Sequence, residues 1–200
     1  ETKVRDRASY VLVQNDIRFV FTAPLTPDGE IAEHVREHGD GVHDIAFAVA
    51  DVEAAHRETT ARGAVSAQAP IELDGGEDGI LRRASIRTFG EVLHSFVDRS
   101  DYHGAFAPGY RAVKRPARAA DGLSLLEVDH CVGNVGLGEM DTFVDFYRDV
   151  MGFAQLIHYD DKVIHTDYSA LMSKVMTNGN GRIKFPINEP AEGKKKSQID

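Results

Sequence analysis

The sequence has few of the features that mark exported, membrane-bound or nucleic-acid-binding proteins. Its 200 residues contain one cysteine, Cys131, so no intrachain disulfide forms and the fold does not depend on an oxidising compartment. No apolar run approaches the roughly 18 residues that a membrane helix needs. The net charge of −9 repels a phosphate backbone and argues against nucleic acid as a partner. We therefore expect a cytoplasmic globular protein without membrane or nucleic-acid partners.

Hydrophobic residues make up 42% of the chain, which is enough for a packed core in one domain or in two small ones. The chain begins at Glu1, shortly before a strand-like run, and stops at Asp200 without a helix stop signal or a tail of disordered composition. We expect it to be a fragment of a longer protein.

The first forty residues predict a hairpin and a short helix. Apolar and polar positions alternate over residues 8–22 on either side of an Asn15-Asp16 turn, which is typical of two antiparallel strands. Ile31 and Val35 then lie one helical turn apart, and Gly39 supplies a stop signal.

A regular strand and helix pattern begins at residue 42. A strand over 42–49 is followed by Asp51 as an N-cap, a helix over 52–62 and Gly63 as the residue that ends it. Three more strands are predicted, near residues 64–72, 80–87 and 91–98. This order is βαβββ.

The same order recurs later in the chain, which indicates an internal repeat and an α+β fold. Aligning Val49 with Val135 makes the two strands enter their helices in the same way. The Pro-containing residues 99–124 join the two copies and are the predicted linker. The elements of the second copy are a strand over 127–135, a helix over 139–150 and strands over 153–160, 168–176 and 182–187.

Nine histidines raise the question of a metal site, but no local spacing of ligand residues completes one. We expect His34, His38 and His56 to be solvated on helix faces. His43 and His130 each lie on the first strand of a module, where a side chain faces either the cavity or the outside. In the alignment His130 falls opposite Asp44, so His43 and His130 are one residue out of register and point to opposite faces.

Five stretches resemble 4-hydroxyphenylpyruvate dioxygenases, in unbroken order along essentially the whole chain. They are GDGVHDIAF at 39–47, VDHCVGNV at 128–135, YSALMS at 168–173, FPINEP at 185–190 and GKKKSQI at 193–199. The resemblance implies the vicinal-oxygen-chelate fold, which is built from paired βαβββ modules around a metal or ligand cavity. It implies a non-catalytic domain over 1–98, holding an incomplete first module and a second one, the linker 99–124, and half of a catalytic domain over 125–200.

The resemblance also implies the chemistry and the site. This family holds Fe(II), one per subunit, with two histidines and one glutamate on one face of the ion. His130 matches the first histidine, and the other two ligands have no counterpart within residues 1–200. Ser173, Asn188 and Gln198 would contact the substrate, with Pro186 and Val132 in the pocket wall, while Cys131 would face away from the metal.

The implied reaction is the oxidation of 4-hydroxyphenylpyruvate, a 2-oxoacid, by dioxygen with decarboxylation and side-chain migration to homogentisate, in tyrosine catabolism. No other catalytic residue is implied within these 200 residues, and we also expect a homo-oligomer, a dimer or a tetramer. Three alternatives stay open: a 4-hydroxymandelate synthase acting on the same substrate, a metal-free binding module of the same superfold, and an extradiol ring-cleaving enzyme.

Overall fold

The computed structural model describes residues 4–113, 124–159 and 170–191. The chain divides into two compact units, Glu1–His56 with Ser66–Glu127, and Arg57–Val65 with Val128–Asp200. The predicted domain bounds stay a prediction, because residues 114–123 of the predicted linker lie outside the described residues. No helix in the described part of the chain is long and apolar enough to cross a membrane.

The N-terminal hairpin and helix are confirmed. Strands β1 (Arg7–Gln14) and β2 (Ile17–Pro24) pair antiparallel, and the Gln14–Ile17 pair closes a two-residue turn. Asn15 takes φ 49°, a left-handed conformation that asparagine tolerates better than most residues. Helix α1 (Glu30–His38) ends where the Gly39 N–H donates to the Val35 carbonyl.

The first complete module has the predicted βαβββ order. Its sheet runs β3-β6-β5-β4, with β3 parallel to β6 and the other pairs antiparallel. The Asp51 carboxylate accepts a hydrogen bond from the Ala54 N–H at 2.8 Å, so Asp51 is the N-cap that the sequence predicts. The elements are β3 (Asp44–Ala48), α2 (Val52–Ala61), β4 (Ser66–Asp74), a 3-10 turn (Gly76–Asp78), β5 (Ile80–Arg87) and β6 (Leu93–Asp98).

The second module repeats this topology, since its sheet runs β7-β10-β9-β8 with β7 parallel to β10. The Val49 N–H donates to the Val97 carbonyl, and the Val135 N–H donates to the Asn188 carbonyl, which confirms the predicted alignment of Val49 with Val135. The elements are β7 (Gly133–Asn134), α3 (Met140–Asp145), a π-helical turn (Phe146–Val150), β8 (Ala154–Tyr159), β9 (Ala170–Thr177) and β10 (Lys184–Ala191).

The first strand of this module is much shorter than predicted. Residues 127–135 were expected to form a strand, and only Gly133 and Asn134 do so. The Cys131 N–H still reaches the Lys184 carbonyl at 3.3 Å, but Lys184 is the first residue of β10. Residues before Cys131 therefore extend past the end of their partner strand and have no ladder to join.

An aromatic cluster forms the core of the second unit. Tyr147 is fully buried and stacks on Phe185, with ring centroids 5.1 Å apart and planes at 17°, while Phe153 packs beside both rings. Burial raises the pKa of the Tyr147 hydroxyl, which stays protonated. Phe185 and Ile187 are therefore on the helix-covered face of the sheet, and the alternate residues of β10 lie on its other face.

Candidate metal and substrate site

His130 lies just before the segment that runs alongside β10, and a neighbouring carboxylate orients its ring. The Nδ1 atom is 2.7 Å from Oδ2 of Asp129. Because an ionised carboxylate only accepts hydrogen bonds, Nδ1 carries the proton and donates, which leaves the Nε2 lone pair available to a metal. The side chain is 50% exposed, so its Nε2 edge is accessible.

Asp129 is itself anchored to the sheet. Its Oδ1 accepts a hydrogen bond from Nζ of Lys184 at 2.8 Å. The hydrogen bonds from Lys184 and then from His130 lower the pKa of Asp129, so it stays ionised. Lys184, Asp129 and His130 thus form a chain of charge-assisted contacts that fixes the imidazole relative to β10.

The predicted substrate residues that the structure describes lie on one face of the second sheet. Asn188 pairs directly with Ser173 across β9 and β10, and Pro186 is two residues from Asn188 on the same strand. Glu189 points the opposite way, because its buried carboxylate accepts a hydrogen bond from the Met140 N–H at the start of α3.

Val132 joins this face by strand alternation, since its neighbour Gly133 pairs with Ile187 on the helix-covered side. Ser173 is buried, Pro186 and Asn188 are half-buried, and Val132 is 48% exposed. Gln198 lies outside the described residues. A partly covered face that carries a hydroxyl and an amide beside apolar side chains suits a substrate pocket, and the individual roles stay predictions.

The first complete module carries different chemistry at the equivalent positions. By the shared register Asp44 corresponds to His130, Arg83 to Ser173 and Ser95 to Pro186. Oδ2 of Asp44 accepts hydrogen bonds from Ser95 Oγ at 2.6 Å and from Arg83 Nη2 at 3.0 Å. In this module a carboxylate paired with a cation occupies the position equivalent to His130, and the non-catalytic role of the module stays a prediction.

His43 points away from Asp44, as the alternation predicts. Its ring packs edge-on against His34 of α1, with centroids 4.9 Å apart. The expectation that His34 is solvated was wrong, because its side chain is only 16% exposed. His34, His38 and Glu91 bring ligand atoms within 4.8 Å of one another. The only sequence signal for this group of possible metal ligands was the four-residue spacing of His34 and His38 on one helix face, since Glu91 is distant in sequence.

Comparison with known proteins agrees with this fold. Residues 127–199 match the family described as Glyoxalase/Bleomycin resistance protein/Dioxygenase superfamily. A 4-hydroxyphenylpyruvate dioxygenase of Aspergillus fumigatus is 42% identical over all of this chain and 54% of its own length. The enzyme of the same name from Dictyostelium discoideum is 43% identical over all of this chain and 55% of its own length.

A solved structure has the same fold over the whole chain. A triple mutant of 4-hydroxymandelate synthase from Streptomyces coelicolor superposes with a TM-score of 0.81 at 27% identity, covering 100% of this chain and 55% of that one. The chain thus spans about half the length of the curated relatives that it matches. This superfamily and these relatives imply a metal centre, and the role of His130 as one of its imidazole ligands stays a prediction.

Proposed function

Because the chain belongs to the vicinal-oxygen-chelate superfamily and is similar along its whole length to 4-hydroxyphenylpyruvate dioxygenases, we propose that the intact protein catalyses that reaction. Its substrate would be 4-hydroxyphenylpyruvate, its cofactor Fe(II), one per subunit, and its product homogentisate. The whole-protein activity is a proposal, since these residues span 54% of the Aspergillus fumigatus relative.

The observation that carries the proposal is the oriented imidazole of His130. Asp129 holds Nδ1 at 2.7 Å, so Nε2 keeps its lone pair in a fixed direction. A carboxylate behind a histidine is the usual support of a metal ligand, because it sets the tautomer and raises the basicity of the ring. Within the described ranges Nε2 makes no hydrogen bond that would compete with a metal.

His130 supplies one ligand, so the rest of the iron site has to come from elsewhere. Among the described residues, no group of three or more His, Cys, Asp and Glu side chains at metal-ligand spacing includes His130. We place the second histidine and the glutamate outside residues 1–200. Fe(II), when held by His130 and those two ligands, would supply the redox chemistry for oxidative decarboxylation of a 2-oxoacid by dioxygen.

The chain's own residues would bind and orient the organic substrate. Ser173 and Asn188 are a cross-strand pair on the neighbouring strands β9 and β10. Their hydroxyl and amide groups can both donate and accept hydrogen bonds without adding charge beside the iron. Pro186 and Val132 would form the apolar wall on the same face, and Gln198 would add a further amide contact. Such a pocket fixes the aromatic ring by shape and by a few polar contacts.

4-Hydroxymandelate synthase is the second candidate, because a structure of that name shares the fold at 27% identity. The 42% identity to a dioxygenase favours homogentisate as the product. The test is to incubate the intact, iron-loaded protein with 4-hydroxyphenylpyruvate under air and to separate the products. We expect homogentisate, and 4-hydroxymandelate as the main product would overturn the assignment.

A metal-free binding module of the same superfold is a third reading, and iron content tests it. We expect the intact wild-type protein to retain iron after dialysis, and the His130→Ala protein to lose it. Equally low iron in both proteins, without turnover by the wild type, would favour the binding module.

A further inference from the structure

A second group of metal-ligating side chains lies in the first unit, at positions that the dioxygenase reaction does not use. We call it the α1 cluster and define it as His34 and His38 of α1 with Glu91 of the turn between β5 and β6. All three residues belong to the same compact unit. The cluster therefore shares no residue with the site proposed around His130.

The geometry of the α1 cluster is close to that of a coordination sphere. His34 and His38 lie one helical turn apart on one face of α1, with ring centroids 5.0 Å apart. Oε2 of Glu91 is 3.2 Å from Nε2 of His38 and 3.7 Å from Nδ1 of His34. Ligand atoms about 2.05 Å from a tetrahedral zinc ion lie roughly 3.3 Å from one another, so small rotations would bring these atoms onto one ion.

The state of His34 points independently to a ligand. Both ring nitrogens of His34 are buried and have no hydrogen-bond partner among the described residues. A buried polar atom without a partner destabilises the folded state, and a bound ion is one of the few ways to satisfy it. His43 packs on one side of the His34 ring, which shields that nitrogen pair without satisfying it.

We propose that the α1 cluster binds a divalent transition metal of the zinc class. Two imidazoles and one carboxylate suit such borderline cations, and two histidines four residues apart on a helix form a common half of a zinc site. Glu91 and His38 are about half exposed, so an ion has a path to the site and solvent can fill the remaining position. The ion would tie the last turn of α1 to the β5–β6 turn.

The test uses the intact protein carrying His130→Ala, which removes a ligand of the proposed iron site. After chelator treatment, the protein is titrated with Zn²⁺ by calorimetry and with Co²⁺ by visible absorption. We expect one bound ion per chain, the intense d–d bands of four-coordinate cobalt, and a thermal midpoint that rises with zinc concentration.

The matched variants separate the cluster from adventitious histidine binding. Adding His38→Gln and Glu91→Gln changes only partly exposed side chains, and we expect the stoichiometry to fall to zero and the zinc-induced thermal shift to vanish. Adding His103→Gln instead, at an exposed histidine outside the cluster, should change neither. The proposal is overturned if the parent protein binds no zinc, or if the double substitution leaves the binding intact.

Failure of this proposal and failure of the dioxygenase proposal have different signatures. If the α1 cluster binds no zinc, homogentisate formation by the wild-type protein still supports the dioxygenase proposal. Conversely, a protein that makes no homogentisate would still report on the α1 cluster through zinc stoichiometry.

Discussion

At the scale of single residues, the hydrogen bond between Asp129 and His130 ties the predicted metal ligand to the sheet. One oxygen of Asp129 accepts a hydrogen bond from Lys184, which anchors it to β10, and the other accepts a hydrogen bond from His130. Substitution at residue 129 therefore tests ligand orientation without removing the ligand.

We predict that Asp129→Ala lowers the iron affinity of the intact protein about 10–100-fold, because His130 loses the group that sets its tautomer and direction. Competition with a chelator measures this change. Asp141→Ala is the matched control, since Asp141 is a surface aspartate that pairs with Lys174 in the same unit. An Asp129→Ala protein that holds iron as tightly as wild type would contradict the orienting role.

His94 makes a prediction about pH. Its side chain is fully buried on β6, and burial lowers its pKa from 6.5 to about 4, so the folded protein keeps it neutral. The unfolded chain takes up a proton near pH 6.5 and the folded chain only near pH 4. The free energy of unfolding therefore decreases as the pH falls from 6.5 to 4, by about 3 kcal/mol at most.

Urea unfolding of wild type and of His94→Gln at several pH values checks this. The wild type should lose more stability between pH 6.5 and pH 4 than the variant, whose residue 94 does not titrate. Parallel pH profiles for the two proteins would show that His94 is not the group responsible.

Among nine histidines, the sequence alone singled out His43 and His130 by strand position, and only the resemblance selected His130. The sequence pattern did not predict the α1 cluster, because β3, α2, β4 and β5 all lie between His38 and Glu91 in the chain. Residue types and local spacing do not encode which loop closes against a helix. That depends on tertiary packing.

At the scale of elements, the turn before β5 depends on one glycine. Gly79 has φ +86° and ψ −160°, a conformation open essentially to glycine alone, and a Cβ there would meet the carbonyl oxygen of Asp101. The Ile80 N–H donates to the same carbonyl at 3.1 Å, so the clash cannot be relieved without loss of that hydrogen bond.

We predict that Gly79→Ala destabilises the protein by more than about 2 kcal/mol. Gly76→Ala is the control in the same turn, with φ +64° and no atom within 4 Å of a new Cβ, and should cost about 1–2 kcal/mol from backbone strain alone. Urea midpoints compare the two. Equal losses would mean that contact with Asp101 adds nothing.

The predicted helices and strands match the structure where the local pattern and the caps agree. They differ from it where pairing with another strand determines the length of the element. Hairpin β1–β2, α1 and α2 formed as expected, since Asn15, Gly39 and Asp51 carry local signals. The strand over 127–135 shrank to Gly133–Asn134 because β10 begins only at Lys184, whose carbonyl accepts from the Cys131 N–H.

The helix over 139–150 formed, but its last turn is π-helical. The Met151 N–H donates to the Phe146 carbonyl, five residues back. No local signal marks this turn. It places Tyr147 against Phe185, so aromatic packing across the module accounts for it.

At the scale of the whole molecule, the internal repeat was predictable and its chemical asymmetry was only partly so. Both modules share strand order and register, as the alignment of Val49 with Val135 required. The pairing of the first strand with the last one, and the Asp44–Arg83–Ser95 contacts that occupy the first module, come from long-range packing. The sequence showed only that Asp44 of the first complete module and His130 of the second occupy equivalent positions.

We propose the reaction for the intact protein and not for residues 1–200 alone, since one imidazole does not hold iron tightly. We predict that residues 1–200 alone show no homogentisate formation even when supplied with Fe(II) and dioxygen. Turnover comparable to that of the intact protein would mean that the remaining ligands lie within residues 1–200.

The most direct test of the central claim is homogentisate formation by the intact protein carrying His130→Ala. His43→Ala is the matched control, because His43 immediately precedes the first strand of the other module and packs against His34. We predict that His130→Ala reduces product to background while His43→Ala keeps the iron content and the activity of the wild type. Normal turnover by the His130→Ala protein would contradict the assignment.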